Sequence, residues 1–172
     1  KHIKLKSIPD KDIFKTLRSS GTSKNTLSQI FLDKKNSNDQ RKILSKIVST
    51  VLGKKRIPML MIDSKPSLKD RSNFNAKIAA FFGFSIFGTN HTFALNPDGS
   101  IAYNVINKFL EKYGKSNFFV FGFTSQIYQN LFLKLKKNYL NHNFSNGILI
   151  HGGGWKKMIN IKVNNEKFKK NL

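Results

Sequence analysis

Short, continuously apolar segments alternate with amphipathic helical stretches along this 172-residue chain. That alternation predicts an α/β fold, a mostly parallel sheet flanked by helices. Two observations carry the expectation. Segments 57–62 and 117–123 are apolar without alternation, as strands covered on both faces must be. Between and around them, apolar residues recur at helical spacing, and glycine or a turn sequence closes each stretch. Successive strand–helix–strand units require right-handed crossovers, which place neighbouring strands parallel.

In chain order, residues 27–32 form the first expected strand. Ser37 followed by Gln40 has the spacing of a capping box, which predicts a helix starting there. Its apolar stripe is Ile43, Leu44, Ile47, Val48, Val51 and Leu52, and Gly53 suits its stop. After strand 57–62, residues 73–82 read as a helix ended by Gly83, and 84–95 as a strand interrupted at Gly88. Asn96-Pro97-Asp98-Gly99 is a turn with proline at its second position. Ile101, Val105, Ile106, Phe109 and Leu110 then mark a helix that Gly114 stops. Strand 117–123 leads to Thr124, the expected cap of a helix carrying Ile127, Tyr128, Leu131, Phe132 and Leu135. Ser145-Asn146-Gly147 turns the chain into a last strand, 147–151. The organisation expected is one α/β core over 1–172, with a basic tail at 164–172; the resemblance given below makes that core a nucleotide-binding one.

Composition narrows the function classes. Hydrophobic residues make up 39% of the chain, enough for a folded core, yet no apolar run approaches the ~20 residues of a membrane span. Lys1 to Lys6 have no apolar stretch behind their charges and are not read as a secretory signal, so a cytoplasmic location is the default expectation. Cysteine is absent, which excludes a disulfide framework or cysteine nucleophile within these residues. The formal net charge of +22 invites a nucleic-acid partner. The pattern argues against it, because arginine occurs only at positions 18, 41, 56 and 71 while lysines are scattered everywhere. Base and phosphate recognition favours arginine's bidentate fork, so the charge reads as a lysine-coated surface. Carboxylate pairs are poorly supplied, since Glu111 and Glu166 are the only glutamates. His2, His91, His142 and His151 lack metal-ligand spacing.

Two loops remain as candidate sites. His151-Gly152-Gly153-Gly154-Trp155-Lys156 places three glycines directly after a strand. Lacking every Cβ, such a run lets backbone approach a flat ligand, with Trp155 as a stacking face and Lys156 as a cation. The same residues could instead make a tight turn with Trp155 plugging the core, and His151 could be a strand-end histidine satisfied by backbone. Arg18-Ser19-Ser20-Gly21-Thr22-Ser23-Lys24 offers hydroxyls, a glycine and an ammonium that could wrap polyphosphate. Its spacing is not that of a Walker loop, and ordinary solvated turns also have this composition.

Found together, the loops resemble the acyl-protein synthetases of bacterial bioluminescence, also called long-chain-fatty-acid–luciferin-component ligases. Leu17 to Thr22 resembles the S-S-G-T-T-G phosphate loop of adenylate-forming enzymes. Ile148 to Lys156 looks like the family's G-G-G-W-K segment, and Arg71-Ser72-Asn73-Phe74-Asn75-Ala76 resembles its R-F-N-A stretch. The resemblance implies part of the large N-terminal domain of an adenylate-forming enzyme, with later motifs beyond residue 172. It also implies ATP and Mg²⁺, a fatty acid substrate, and an acyl-acceptor protein or fatty acid reductase as partner. Ser19, Ser20, Gly21, Thr22, Ser23 and Lys24 would hold the phosphates. His151, Gly152, Gly153, Gly154, Trp155 and Lys156 would line the adenylate and the start of the acyl pocket. Ser23 and Lys24 stand where the motif usually has threonine and glycine. An acyl- or aryl-CoA ligase related to phenylacetate-CoA ligase, or an inactive nucleotide-binding module, are the alternatives.

Overall fold

A computed structural model describes residues 6–18, 29–65, 76–134, 143–155, 163, 166 and 168. The chain divides into two compact units, residues 1–54 with 67–84 and residues 55–66 with 85–172.

The first unit opens with strands β1 (Lys15–Arg18) and β2 (Gln29–Leu32), paired antiparallel from Lys15 opposite Leu32 to Arg18 opposite Gln29. Helix α1 (Lys34–Leu52) begins one turn earlier than the Ser37 box predicts. Asp33 is the cap, its carboxylate accepting from the Asn36 amide at 2.6 Å. The Ser37 amide already donates to the Asp33 carbonyl, so Ser37 lies inside the helix. The carboxylate satisfies an otherwise orphan amide, and the earlier start adds a hydrogen-bonded turn. Gly53, at φ 80°, closes the helix as expected. The expected apolar stripe is divided: Val48 and Leu52 are buried, while Ile43, Ile47 and Val51 remain more than half exposed. Helix α2 (Ala76–Ser85) runs straight through Gly83. An internal glycine costs a helix only about 1 kcal/mol, and apolar residues on both sides continue the element.

The second unit holds a four-stranded sheet in the order β4-β3-β5-β6, with every neighbouring pair parallel. Its strands are β3 (Ile57–Ser64), β4 (Gly88–Leu95), β5 (Phe118–Phe123) and β6 (Gly147–Gly152). The expected α/β class and parallel sheet are therefore observed. Gly88 starts β4 rather than interrupting it, because a Cβ there would meet the Met59 Cβ at 2.5 Å. Farther along, Asn90 at φ 48° takes up an extra residue opposite Met59 as a bulge. The 96–99 turn forms as read, with Gly99 at φ 81° and Asp98 accepting from the Ser100 amide and hydroxyl. Ile101 bridges back to Leu95 instead of joining the next helix, so α3 spans Tyr103–Tyr113.

Helix α3 and the helix after β5 pack one face of the sheet. Ile106, Phe109, Ile127, Tyr128 and Leu131 meet Leu60, Ile62, Phe118 and Val120 there. On the opposite face Met59, Met61, Phe119 and Phe121 are also buried. Both faces of β3 and β5 are thus dry, which is the reason their sequences do not alternate. The helix after β5 starts as an α-turn (α4, Thr124–Gln126) and widens into a π-helix over Ile127–Phe132. No helix among the described residues is long and apolar enough to cross a membrane.

Candidate functional site

The site is built where three parallel strands end. From β3 the chain steps outward on one side to β4, and the later strands extend on the other side. The topological switch point therefore lies between β3 and β5, and open parallel sheets collect ligands outside such a point at the strand carboxyl ends. There β3 ends in Asp63-Ser64, β5 in Gly122-Phe123 followed by Thr124, and β6 in His151-Gly152. The registers Met61–Phe121–Ile150 align these ends side by side. Two strand spacings, about 10 Å, separate the end of β3 from the start of the glycine loop.

Gly122 lets the elements close at this point. A Cβ on it would meet Ile62 Cβ at 2.9 Å and Ile127 Cγ1 at 3.0 Å, so the helix after β5 can seat only over a glycine. That seating fixes Thr124. Thr124 was expected as the helix cap, but Phe123 occupies the cap position without a side-chain bond. The Thr124 side chain crosses to the next strand instead. Its Oγ1 lies 3.0 Å from the Gly153 carbonyl oxygen, 3.2 Å from that of Gly152 and 2.9 Å from His151 Nδ1. Thr124 itself is buried while His151, Gly152 and Gly153 are exposed, so these bonds run from the core out to the loop. His151 accordingly has a hydroxyl partner, where a backbone partner was expected.

The glycine loop combines fixed and open positions. Gly153, at φ 77°, requires the left-handed region, and a Cβ would come within 3.0 Å of the Phe123 ring. At Gly152 and Gly154 a Cβ would meet nothing within 4 Å. One side of the run is therefore pinned to β5 and the other is open backbone. Trp155 anchors the far end of the loop. Its ring stands edge-on to Tyr128 at 5.3 Å and to Phe168 at 5.7 Å. Phe168, within the lysine-rich 164–172 segment, is buried and also touches the His151 ring at 5.1 Å. Partial burial lowers the His151 imidazole below its ordinary value, favouring the neutral ring.

Of the residues singled out from sequence, His151, Gly152, Gly153, Gly154 and Trp155 come together here. Ser19, Ser20, Gly21, Thr22, Ser23, Lys24 and Lys156 lie outside the described residues, as do Arg71 to Asn75 of the R-F-N-A-like stretch. Asp63, Ser64 and the cross-strand role of Thr124 were not singled out. The order of the strands would have been needed to find the first two, because nothing local marks a switch point. For Thr124 the signal was present, a hydroxyl residue directly after a Gly-containing strand end, but it equally fits a cap.

No curated protein and no solved structure matches the chain. A family model, acyl-protein synthetase LuxE, matches residues 1–172. With the whole length matched and the glycine loop held at the end of a parallel sheet, the chain belongs to the LuxE acyl-protein synthetase family.

Proposed function

We propose that this protein activates a fatty acid with ATP as an acyl-adenylate and passes the acyl group to a protein thiol. In the first half-reaction a carboxylate oxygen attacks the α-phosphorus and the α–β phosphoanhydride bond breaks, releasing pyrophosphate. In the second, a thiolate attacks the acyl carbonyl and AMP leaves. The observation that carries the reading is the glycine loop, its backbone open at Gly152 and Gly154 beside the sheet's switch point. A flat base or a planar acyl-phosphate can lie against such backbone where side chains would exclude it.

The residues present fit a nucleotide. An uncharged, open backbone stands beside a neutral imidazole, and the packed Trp155 anchors the loop's end. By the motif resemblance, the phosphates fall to Ser19, Ser20, Gly21, Thr22, Ser23 and Lys24, whose hydroxyls, amides and ammonium suit an anion. Mg²⁺, where bound, would neutralise charge on the phosphates. The chain's contribution is positioning and charge stabilisation, so no protein nucleophile is needed in the first step.

Fatty-acid-dependent exchange of labelled pyrophosphate into ATP tests the reading on the purified full-length enzyme. Exchange without coenzyme A, followed by acyl transfer to a protein thiol, is expected. Release that needs coenzyme A would make the protein an acyl-CoA ligase, and absence of exchange would leave only nucleotide binding.

A further inference from the structure

The Thr124 hydroxyl has three polar neighbours and a single proton, and this count determines more than the shape of the loop. Two of the neighbours, the carbonyl oxygens of Gly152 and Gly153, can only accept. The third, His151 Nδ1, can donate or accept according to its tautomer. If the hydroxyl gave its proton to Nδ1, its oxygen lone pairs would face both carbonyl oxygens at 3.0 and 3.2 Å, two repulsive contacts. If the proton is shared between the carbonyls, the oxygen still has a lone pair for an Nδ1–H at 2.9 Å, and all three contacts are attractive.

We propose that Thr124 is the positioning residue of the glycine loop, holding Gly152 and Gly153 against the end of β5 and fixing His151 as its Nδ1–H tautomer. His151 then presents Nε2 as an acceptor, and no partner holds that nitrogen among the described residues. A neutral imidazole of this tautomer takes a hydrogen-bond donor, an amine or hydroxyl of the bound nucleotide, and does not attract its phosphate oxygens. The assignment to a nucleotide rests on the function proposed above, whereas the tautomer and the latch rest on the hydrogen bonds alone.

Nitrogen-15 NMR of the histidine side chains tests the two parts separately. The His151 signals are identified by their loss in His151→Gln. In the ligand-free wild-type chain, Nδ1 is expected at a protonated-type shift and Nε2 at an unprotonated one. The opposite tautomer would overturn the proposal without any variant being made. Thr124→Ser keeps the hydroxyl and is expected to keep the tautomer. Thr124→Val removes it at nearly constant volume and is expected to release the tautomer. It is also expected to raise the KM for ATP in pyrophosphate exchange about 10-fold with a smaller change in kcat, the scale of one hydrogen bond lost. A valine variant with wild-type tautomer and KM would remove the latch. Correct tautomers in an enzyme that shows no ATP-dependent exchange would leave the latch standing and sink the acyl-adenylate reading.

Discussion

Strands β5 and β6 pair residue for residue from Phe118 opposite Gly147 to Phe123 opposite Gly152, yet they meet opposite conditions. In β5 every residue but Phe123 is buried, because β3 and β6 flank its edges and both faces are covered. In β6 no residue is fully buried, and it forms the edge of the four-stranded sheet. The difference assigns separate tasks to the two strands. Packing makes β5 a fixed reference, and β6 delivers an open glycine loop that has to be tied to that reference. Thr124 is the tie, a buried hydroxyl at the end of the rigid strand bonded to the exposed one.

Core truncation should break the comparison most strongly. Phe118 is fully buried and packs edge-on against Phe109 at 5.4 Å. Phe118→Ala is expected to cost about 3–5 kcal/mol of stability, as for large aromatic truncations in cores. Ile148, half-buried in β6, should cost clearly less when cut to alanine. Urea unfolding of both variants measures the gap, and equal losses would mean that β6 is as tightly held as β5.

Adding atoms gives the next largest contrast. Gly122→Val forces a side chain into the 2.9–3.0 Å space against Ile62 and Ile127, and overpacking of this kind costs about 1–3 kcal/mol. Gly152→Ala enters open space and should change stability by less than about 0.5 kcal/mol, like other surface changes. The same denaturation midpoints decide, and a damaging Gly152→Ala would show that the loop is closed on its open side.

These contrasts also explain what the sequence could reveal. Dry strands advertise themselves, so β3 and β5 were legible from their unbroken apolar runs, and the parallel class followed from the helices between strands. Helix ends were less legible, because Asp33 and Ser37 are both competent caps and tertiary context chooses between them. Gly83 and Gly88 show the same limit: one sits harmlessly inside a helix and the other makes room for Met59, and a glycine symbol is identical in both. At the site, the glycine run was legible because three such residues after a strand have few uses. The aromatic packing of Trp155 and the latch from Thr124 were not, since both are contacts across the fold between residues far apart in sequence.

Within the loop, Gly153 and Gly152 should separate stability from binding. Any side chain at Gly153 is strained at φ 77° and crowds Phe123, a cost of about 1–2 kcal/mol. Gly153→Val should therefore lower stability modestly and raise the KM for ATP in pyrophosphate exchange, as the pinned stretch is displaced. Unchanged exchange kinetics in this variant would remove the loop from the site.

The smallest expected effect is a pH dependence that belongs to β6 and not to β5, whose residues do not titrate. Partial burial lowers the folded-state pKa of His151 below its ordinary 6.5. The unfolded chain then binds more protons than the folded one between the two values, so stability rises with pH across that window. Above about 6.5 the contribution is fully present, and it is lost as the pH falls toward the lowered folded value. Asp98 behaves differently. The Ser100 hydroxyl and amide hold its carboxyl below the ordinary 3.8, so its stabilising contribution disappears only in stronger acid. The two effects therefore occupy different pH ranges. Comparing the urea midpoints of wild type and His151→Gln at about pH 7.5 and about pH 5.5 isolates the histidine. The wild type is expected to lose more stability than the variant on acidification. A larger loss in the variant would mean that the folded site stabilises the imidazolium, and the neutral acceptor assigned to His151 would then be wrong.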